Sequence, residues 1–104
     1  MKGKERIGIK VLCIDDEMEL LDLMKLYLER ENNIFVQCAS SPQQALSMMG
    51  EQDYDVIVSD YAMPEMNGID LLKEIRSRGW EIPFILFTGK GREEVAIDAI
   101  NFGA

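Results

Sequence analysis

Asp15, Asp16 and Asp60 are the residues of this chain whose types and positions best suit chemistry. Asp15 and Asp16 close the apolar run Ile9-Lys10-Val11-Leu12-Cys13-Ile14, and Asp60 closes a second run, Val56-Ile57-Val58-Ser59. Each run reads as a buried strand with its acid at the carboxyl end. In an open parallel sheet, ligands bind just outside those carboxyl ends. If the two strands are neighbours, three carboxylates meet in one small pocket. Like charges that close either hold on to a proton or recruit a cation. Oxygen-only donors favour a hard divalent ion such as Mg2+. An acid beside such an ion can serve as nucleophile in phosphoryl transfer. Taken singly, the acid pair reads as helix capping and Asp60 as a turn aspartate. Together, at the ends of two strands, they point to a site.

The elements that must position these acids follow from periodicity. After the first strand, at 9–14, Asp16-Glu17 opens a helix with negative charge at its start, which suits the helix dipole. That helix runs to about Glu31, with Leu20, Leu21, Met24, Tyr27 and Leu28 as its buried stripe and Asp22, Lys25, Glu29 and Arg30 facing water. Asn32-Asn33 is expected to stop it. A second strand spans 34–39. Ser41-Pro42-Gln43-Gln44 then carries a serine cap, a first-turn proline and a glutamine three beyond the cap, and its helix ends at Gly50. A third strand spans 54–60. The loop Ala62-Met63-Pro64-Glu65-Met66-Asn67-Gly68 leads to a helix over 69–77, with Leu71, Leu72 and Ile75 buried and Gly79 as its stop. A fourth strand over 83–88 and a helix over 92–102 complete the pattern. Strand and helix alternate four times, which implies parallel strands and right-handed crossovers. The apolar run Phe84-Ile85-Leu86-Phe87 would form an uncovered sheet edge, so a further strand is expected from outside this sequence or from a second molecule.

Composition narrows the function. A chain of 104 residues, 47% hydrophobic, makes one small domain with a real core. A net charge of −8 and a pI near 4.4 argue against direct binding of nucleic acid or an anionic membrane. Histidine is absent, which removes Ser-His-Asp and Cys-His catalysis and most zinc sites. Cys13 and Cys38 both fall in expected strands and read as buried small hydrophobes. With no export signal or apolar anchor after the charged start, residues 1–8 read as a polar lead-in and the protein as cytoplasmic and reduced.

Four segments, in order, resemble the receiver domain of two-component response regulators: Val11-Leu12-Cys13-Ile14-Asp15-Asp16-Glu17, Asp55-Val56-Ile57-Val58-Ser59-Asp60, Met63-Pro64-Glu65-Met66-Asn67-Gly68 and Pro83-Phe84-Ile85-Leu86-Phe87-Thr88. The resemblance covers residues 9–104. It implies a flavodoxin-like, doubly wound α/β fold with strand order 2-1-3-4, the family's fifth strand and last helix falling beyond this chain. It implies Asp60 as phosphoacceptor, and Mg2+ held by Asp15, Asp16, Asp60 and the backbone carbonyl of Ala62. It also implies Thr88 as the hydroxyl that senses the phosphoryl group. The implied partners are a histidine kinase or phosphotransfer protein, with an output domain possible in the parent chain. The only reactions implied are the domain's own phosphorylation and dephosphorylation. The lysine that the family places at the end of its fifth strand, after the position of Gly103-Ala104, is not in this sequence. A degenerate receiver that only binds proteins is therefore one alternative. An aspartate-nucleophile, Mg2+-dependent phosphatase is another, although such enzymes use an Asp-x-Asp arrangement and this chain has adjacent acids.

Overall fold

A computed structural model describes residues 8–87, and the expected helix over 92–102 and Thr88 lie outside them. The elements run β1 (Ile9–Ile14), α1 (Met18–Leu28), β2 (Ile34–Ala39), α2 (Pro42–Glu51), β3 (Val56–Asp60), α3 (Gly68–Ser77) and β4 (Phe84–Phe87). The strands form one parallel sheet in the order β2-β1-β3-β4, as expected. The chain reverses direction across the sheet after β2, so β1 and β3, which carry the acids, are paired at its centre. This is the flavodoxin-like arrangement, whose crevice lies where the strand order reverses.

Side chains alternate across the sheet with the period of two that strand geometry imposes. Leu12, Ile14, Ile57 and Phe84 point to one face, where Ala45 and Leu46 of α2 and Leu71, Leu72 and Ile75 of α3 complete the larger core. Val11, Cys13 and Val36 point to the other, where Leu21 of α1 meets them. Cys13 and Cys38 are register partners on adjacent strands. Burial pushes the Cys13 thiol up to about 12, so both read as packing groups, with Cys38 raised for the same reason.

The helix ends follow local chemistry. Ser41 caps α2 by accepting from the Gln44 amide at 3.1 Å, and the Gln44 side chain reaches back to the Ser40 amide at 2.8 Å. The helix runs one residue beyond Gly50. Asn67 caps α3, its Oδ1 accepting from the Asp70 amide at 2.8 Å. Gly79, at φ +83°, ends the turn after α3. β3 begins at Val56 rather than Tyr54, because Asp55 turns inward to bind the start of β1: its Oδ2 accepts from the Lys10 amide at 2.7 Å.

The first helix departs from its expected stripe. α1 ends at Leu28, not Glu31, and Asn32-Asn33 adopts no left-handed turn. Leu21 is buried and Met24 and Leu28 are partly so, but Leu20 and Tyr27 are exposed. Lys25 and Glu29 were expected to face water. They do, at 48% and 32% side-chain exposure, and they also grip the outer edge of β2: Lys25 Nζ donates to the Val36 carbonyl at 2.9 Å, and Glu29 accepts from the Val36 amide at 2.8 Å. That amide, with Lys25 beside it, holds the Glu29 carboxyl below its ordinary range. The side-chain clamp covers part of an edge that would otherwise offer a ladder of unpaired groups. It also draws the helix over β1 and β2 and leaves its far side without a neighbour among the described residues.

Candidate metal and phosphoacceptor site

Register alone brings the acids together. Ile14 pairs with Ser59 across β1 and β3, so Asp15 and Asp60 follow one step past the last pair. Asp15, Asp16 and Asp60 each offer a carboxylate oxygen, and these atoms lie within 4.8 Å of one another. They differ in exposure: Asp15 is buried, Asp60 half-buried and Asp16 exposed.

Asp15 is the informative member. One of its oxygens accepts from the Glu17 amide at 2.9 Å, which fixes the side chain at the mouth of α1. The other, Oδ2, is buried with no hydrogen-bond partner. An orphaned carboxylate oxygen facing two more carboxylates is costly unless a proton or cation meets it. Burial raises the Asp15 pKa above 3.8, and the charges of Asp60, Asp16 and Glu17 add to the rise, against the lowering effect of the Glu17 amide. Three hard oxygen donors at this spacing fit a small divalent cation and offer nothing to a soft metal.

An acid whose folded-state pKa is raised favours folding while it is protonated, and that stability is lost as pH rises from the unfolded value through the folded one. Without divalent cations, stability is therefore expected to fall over this window, and Asp15→Asn is expected to raise the neutral-pH melting temperature. The same substitution should remove any Mg2+-induced rise. Thermal melts of both proteins with Mg2+ and with a chelator check this; an unchanged Mg2+ response in the variant would place the ion elsewhere.

The loop after β3 completes the surroundings. Ala62 sits two residues past Asp60 and is exposed, while Met63 turns into the larger core. Glu65 takes a positive φ of 75°, and the Met66 amide donates to the Pro64 carbonyl at 2.7 Å, a tight three-residue turn. The loop then returns to β3: the Gly68 amide donates to the Tyr61 carbonyl at 2.8 Å. A Cβ on Gly68 would stand 2.5 Å from the backbone oxygen of Asp60, so α3 begins directly against the acid's own peptide. In the sequence Gly68 reads only as the last residue of the loop, and the Asn-Gly pair before a helix is its one visible signal. A cavity of about 270 Å3, lined by Tyr54, Trp80 and Ile82 among others, lies at the amino ends of β3 and β4, away from the acids.

Comparisons with known proteins agree with this geometry. Residues 11–104 match the model of the response regulator receiver domain. The chain is 37% identical over 94 residues to the response regulator SaeR of Staphylococcus aureus, covering 90% of this chain and 40% of that protein. It thus spans about 40% of the length of the curated relatives it matches. Among solved structures, it is similar to a Francisella response regulator receiver domain, with a TM-score of 0.86 and 31% identity over 93% of this chain and 79% of that one. A receiver domain protein from Clostridium thermocellum gives a TM-score of 0.85 at 36% identity, covering 92% and 77%. Fold, clustered acids and sequence match converge, and the chain belongs to the response regulator receiver domain family, a family of two-component signalling domains.

Proposed function

We propose that this domain accepts a phosphoryl group on Asp60 from a histidine kinase or phosphotransfer protein in an Mg2+-dependent reaction. The observation that carries the reading is the buried, unpartnered Oδ2 of Asp15 within the three-carboxylate cluster of a receiver fold. Asp15, Asp16 and Asp60 would hold the ion, with the backbone carbonyl of Ala62 as a further ligand. When bound, Mg2+ offsets the repulsion between an attacking carboxylate and an anionic phosphoryl group.

The chain's own residues divide the work by exposure. Asp15 is sequestered and tethered to the Glu17 amide, which suits a fixed ligand and not an attacking group. Asp60 is half-buried at the end of a central strand, reachable yet held. An oxygen of Asp60 forms the new bond to phosphorus as the donor's nitrogen–phosphorus bond breaks; the electron pair stays on the donor imidazole, which takes up a proton. The product carries roughly −1.5 to −2 of charge. The hydroxyl of Thr88, which follows β4 in sequence, is assigned to those oxygens as the phosphoryl-sensing switch that alters a protein-binding surface. The same site is assigned the hydrolysis of its own acyl phosphate and no other catalysis.

The partner set extends beyond this chain. The relatives' greater length supports an output domain in the parent protein. Among the described residues, no helix is long and apolar enough to cross a membrane. A cytoplasmic location and no direct nucleic-acid contact complete the reading, the latter from the charge of −8.

The test is intact mass after incubation with an acyl phosphate, with and without Mg2+. One phosphoryl group gained only with Mg2+ is the expected result; no gain in Mg2+-saturated protein would overturn the phosphoacceptor role. Mg2+ binding can be measured separately. Asp16→Ala is expected to weaken it by at least about tenfold, since even losses beyond the direct ligands cost that much. Unchanged affinity by calorimetry would remove Asp16 from the ligand set.

A further inference from the structure

The outer edge of β2 is closed from within the chain. Among the described residues β2 pairs only with β1, and in this fold's strand order a fifth strand adds beside β4, at the opposite edge. Backbone groups of a strand point alternately to its two sides. Asn33 and Ala39 turn their carbonyls to β1, where the Ile9 and Asp15 amides donate at 2.7 and 3.2 Å, so Ile34, Val36 and Cys38 face outward. Two of these outward residues are met by α1 and the turn after it. The Ile34 amide donates to the Glu31 carbonyl at 3.3 Å. At Val36 both groups are taken by side chains: Glu29 accepts from the amide at 2.8 Å, and Lys25 donates to the carbonyl at 2.9 Å. The two side chains also pair with each other at 3.1 Å.

We infer that the Lys25–Glu29 pair is a guard that keeps two copies of the chain from joining along β2. The strand it covers needs one. Ile34-Phe35-Val36-Gln37-Cys38-Ala39 carries no charge, proline or glycine, and Phe35 is 51% exposed. Such a segment on a sheet edge is a template for further strands. The two groups at Val36 select the partner that is kept out. In an antiparallel ladder, two residues that face each other exchange both amide–carbonyl bonds. A two-fold axis beside Val36 would set it opposite the same residue of another copy, with the same segment on both sides, as an isologous contact requires. Lys25 and Glu29 hold those same two groups from inside the chain. Their bonds carry charge and are the stronger for it. They also cost no association entropy, which a second copy would lose. None of these residues belongs to the acid cluster, so the guard is independent of the phosphoacceptor reading.

Amide hydrogen exchange and sedimentation equilibrium of the whole chain test the inference together. Glu29→Ala should speed exchange of the Val36 amide at least about tenfold, because a bond to a charged group is lost. An amide that exchanges as fast in the unaltered chain would overturn the guard, and this holds even where a further variant fails to fold. Lys25→Ala combined with Glu29→Ala frees both groups of Val36. With circular dichroism unchanged, this double variant should move toward twice 11.8 kDa at a concentration where the unaltered chain does not. In the associated species the Val36 amide should regain its protection. Glu29→Gln keeps an acceptor oxygen and should behave as the unaltered chain does. A folded double variant with the unaltered chain's mass would overturn the inference. So would a dimer whose Val36 amide stays unprotected, since its contact lies elsewhere. Association of Glu29→Gln equal to that of the double variant would overturn the bonded guard in favour of plain charge repulsion.

Discussion

Asp60→Asn is expected to abolish phosphoryl incorporation and to leave the fold intact. The substitution keeps the shape of the side chain and removes the nucleophilic charge. Neither neighbour can replace it. Asp15 is 1% exposed and has one oxygen held by the Glu17 amide. Asp16 is exposed and lies outside the strand that would hold a nucleophile in line. The effect on activity is therefore complete loss, not a partial one. The effect on stability should be small, because Asn keeps the volume and polarity of the side chain at the end of β3. Intact mass and a thermal melt on the same sample read both. Labelling that persists in the variant would move the acceptor to another residue, and peptide mapping would say which.

The second large effect is predicted at a residue with no functional group. Gly68→Ala is expected to destabilise the domain by about 1–3 kcal/mol, the usual cost of forcing a group into a filled space. The added Cβ would stand 2.5 Å from the Asp60 backbone oxygen, 2.5 Å from Leu86 Cδ1 and 3.1 Å from the Tyr61 Cα. Two of those three contacts are backbone at the end of a central strand, which cannot swing aside as a flexible side chain can. The start of α3 must move instead, and Asp60 with it, so phosphorylation should slow alongside the loss of stability. Gly50→Ala supplies the contrast. It sits inside α2 with nothing within 4 Å of a new Cβ. That substitution should stabilise by about 0.5–1 kcal/mol through lower chain entropy in the unfolded state. Urea denaturation of the pair checks both signs. Equal effects at Gly50 and Gly68 would mean that helix propensity, not the close approach to Asp60, governs the position.

The two experiments separate chemistry from architecture. Asp60→Asn removes reactivity with the scaffold kept, whereas Gly68→Ala disturbs the scaffold with every reactive group kept. A phosphorylation defect in Gly68→Ala larger than its loss of folded population would show that the geometry of the β3–α3 junction itself tunes the site.

The alternation of elements and the position of each acid were legible in the sequence. A strand buried on both faces must be apolar along its length, and a helix on a sheet must repeat at three and four residues, so β1, β3 and α3 declare themselves locally. The caps did too, because Ser41 and Gln44 satisfy amides within one turn. Asp15 and Asp60 were visible as strand-end acids, and the resemblance to receiver domains put them side by side. Only the tertiary structure decided how they meet. The Ile14–Ser59 register brings their oxygens within 4.8 Å, and burial leaves Asp15 Oδ2 with no protein partner. α1 marks the same limit from the other side. Its spacing placed Leu20 and Tyr27 with the buried stripe, and both are exposed. The helix is apolar around more than one face, and periodicity cannot say which face meets the sheet. The β2 edge decided that, by offering the Val36 amide and carbonyl to Glu29 and Lys25. Local pattern determines what an element is; the unsatisfied groups of its neighbours determine which way it faces.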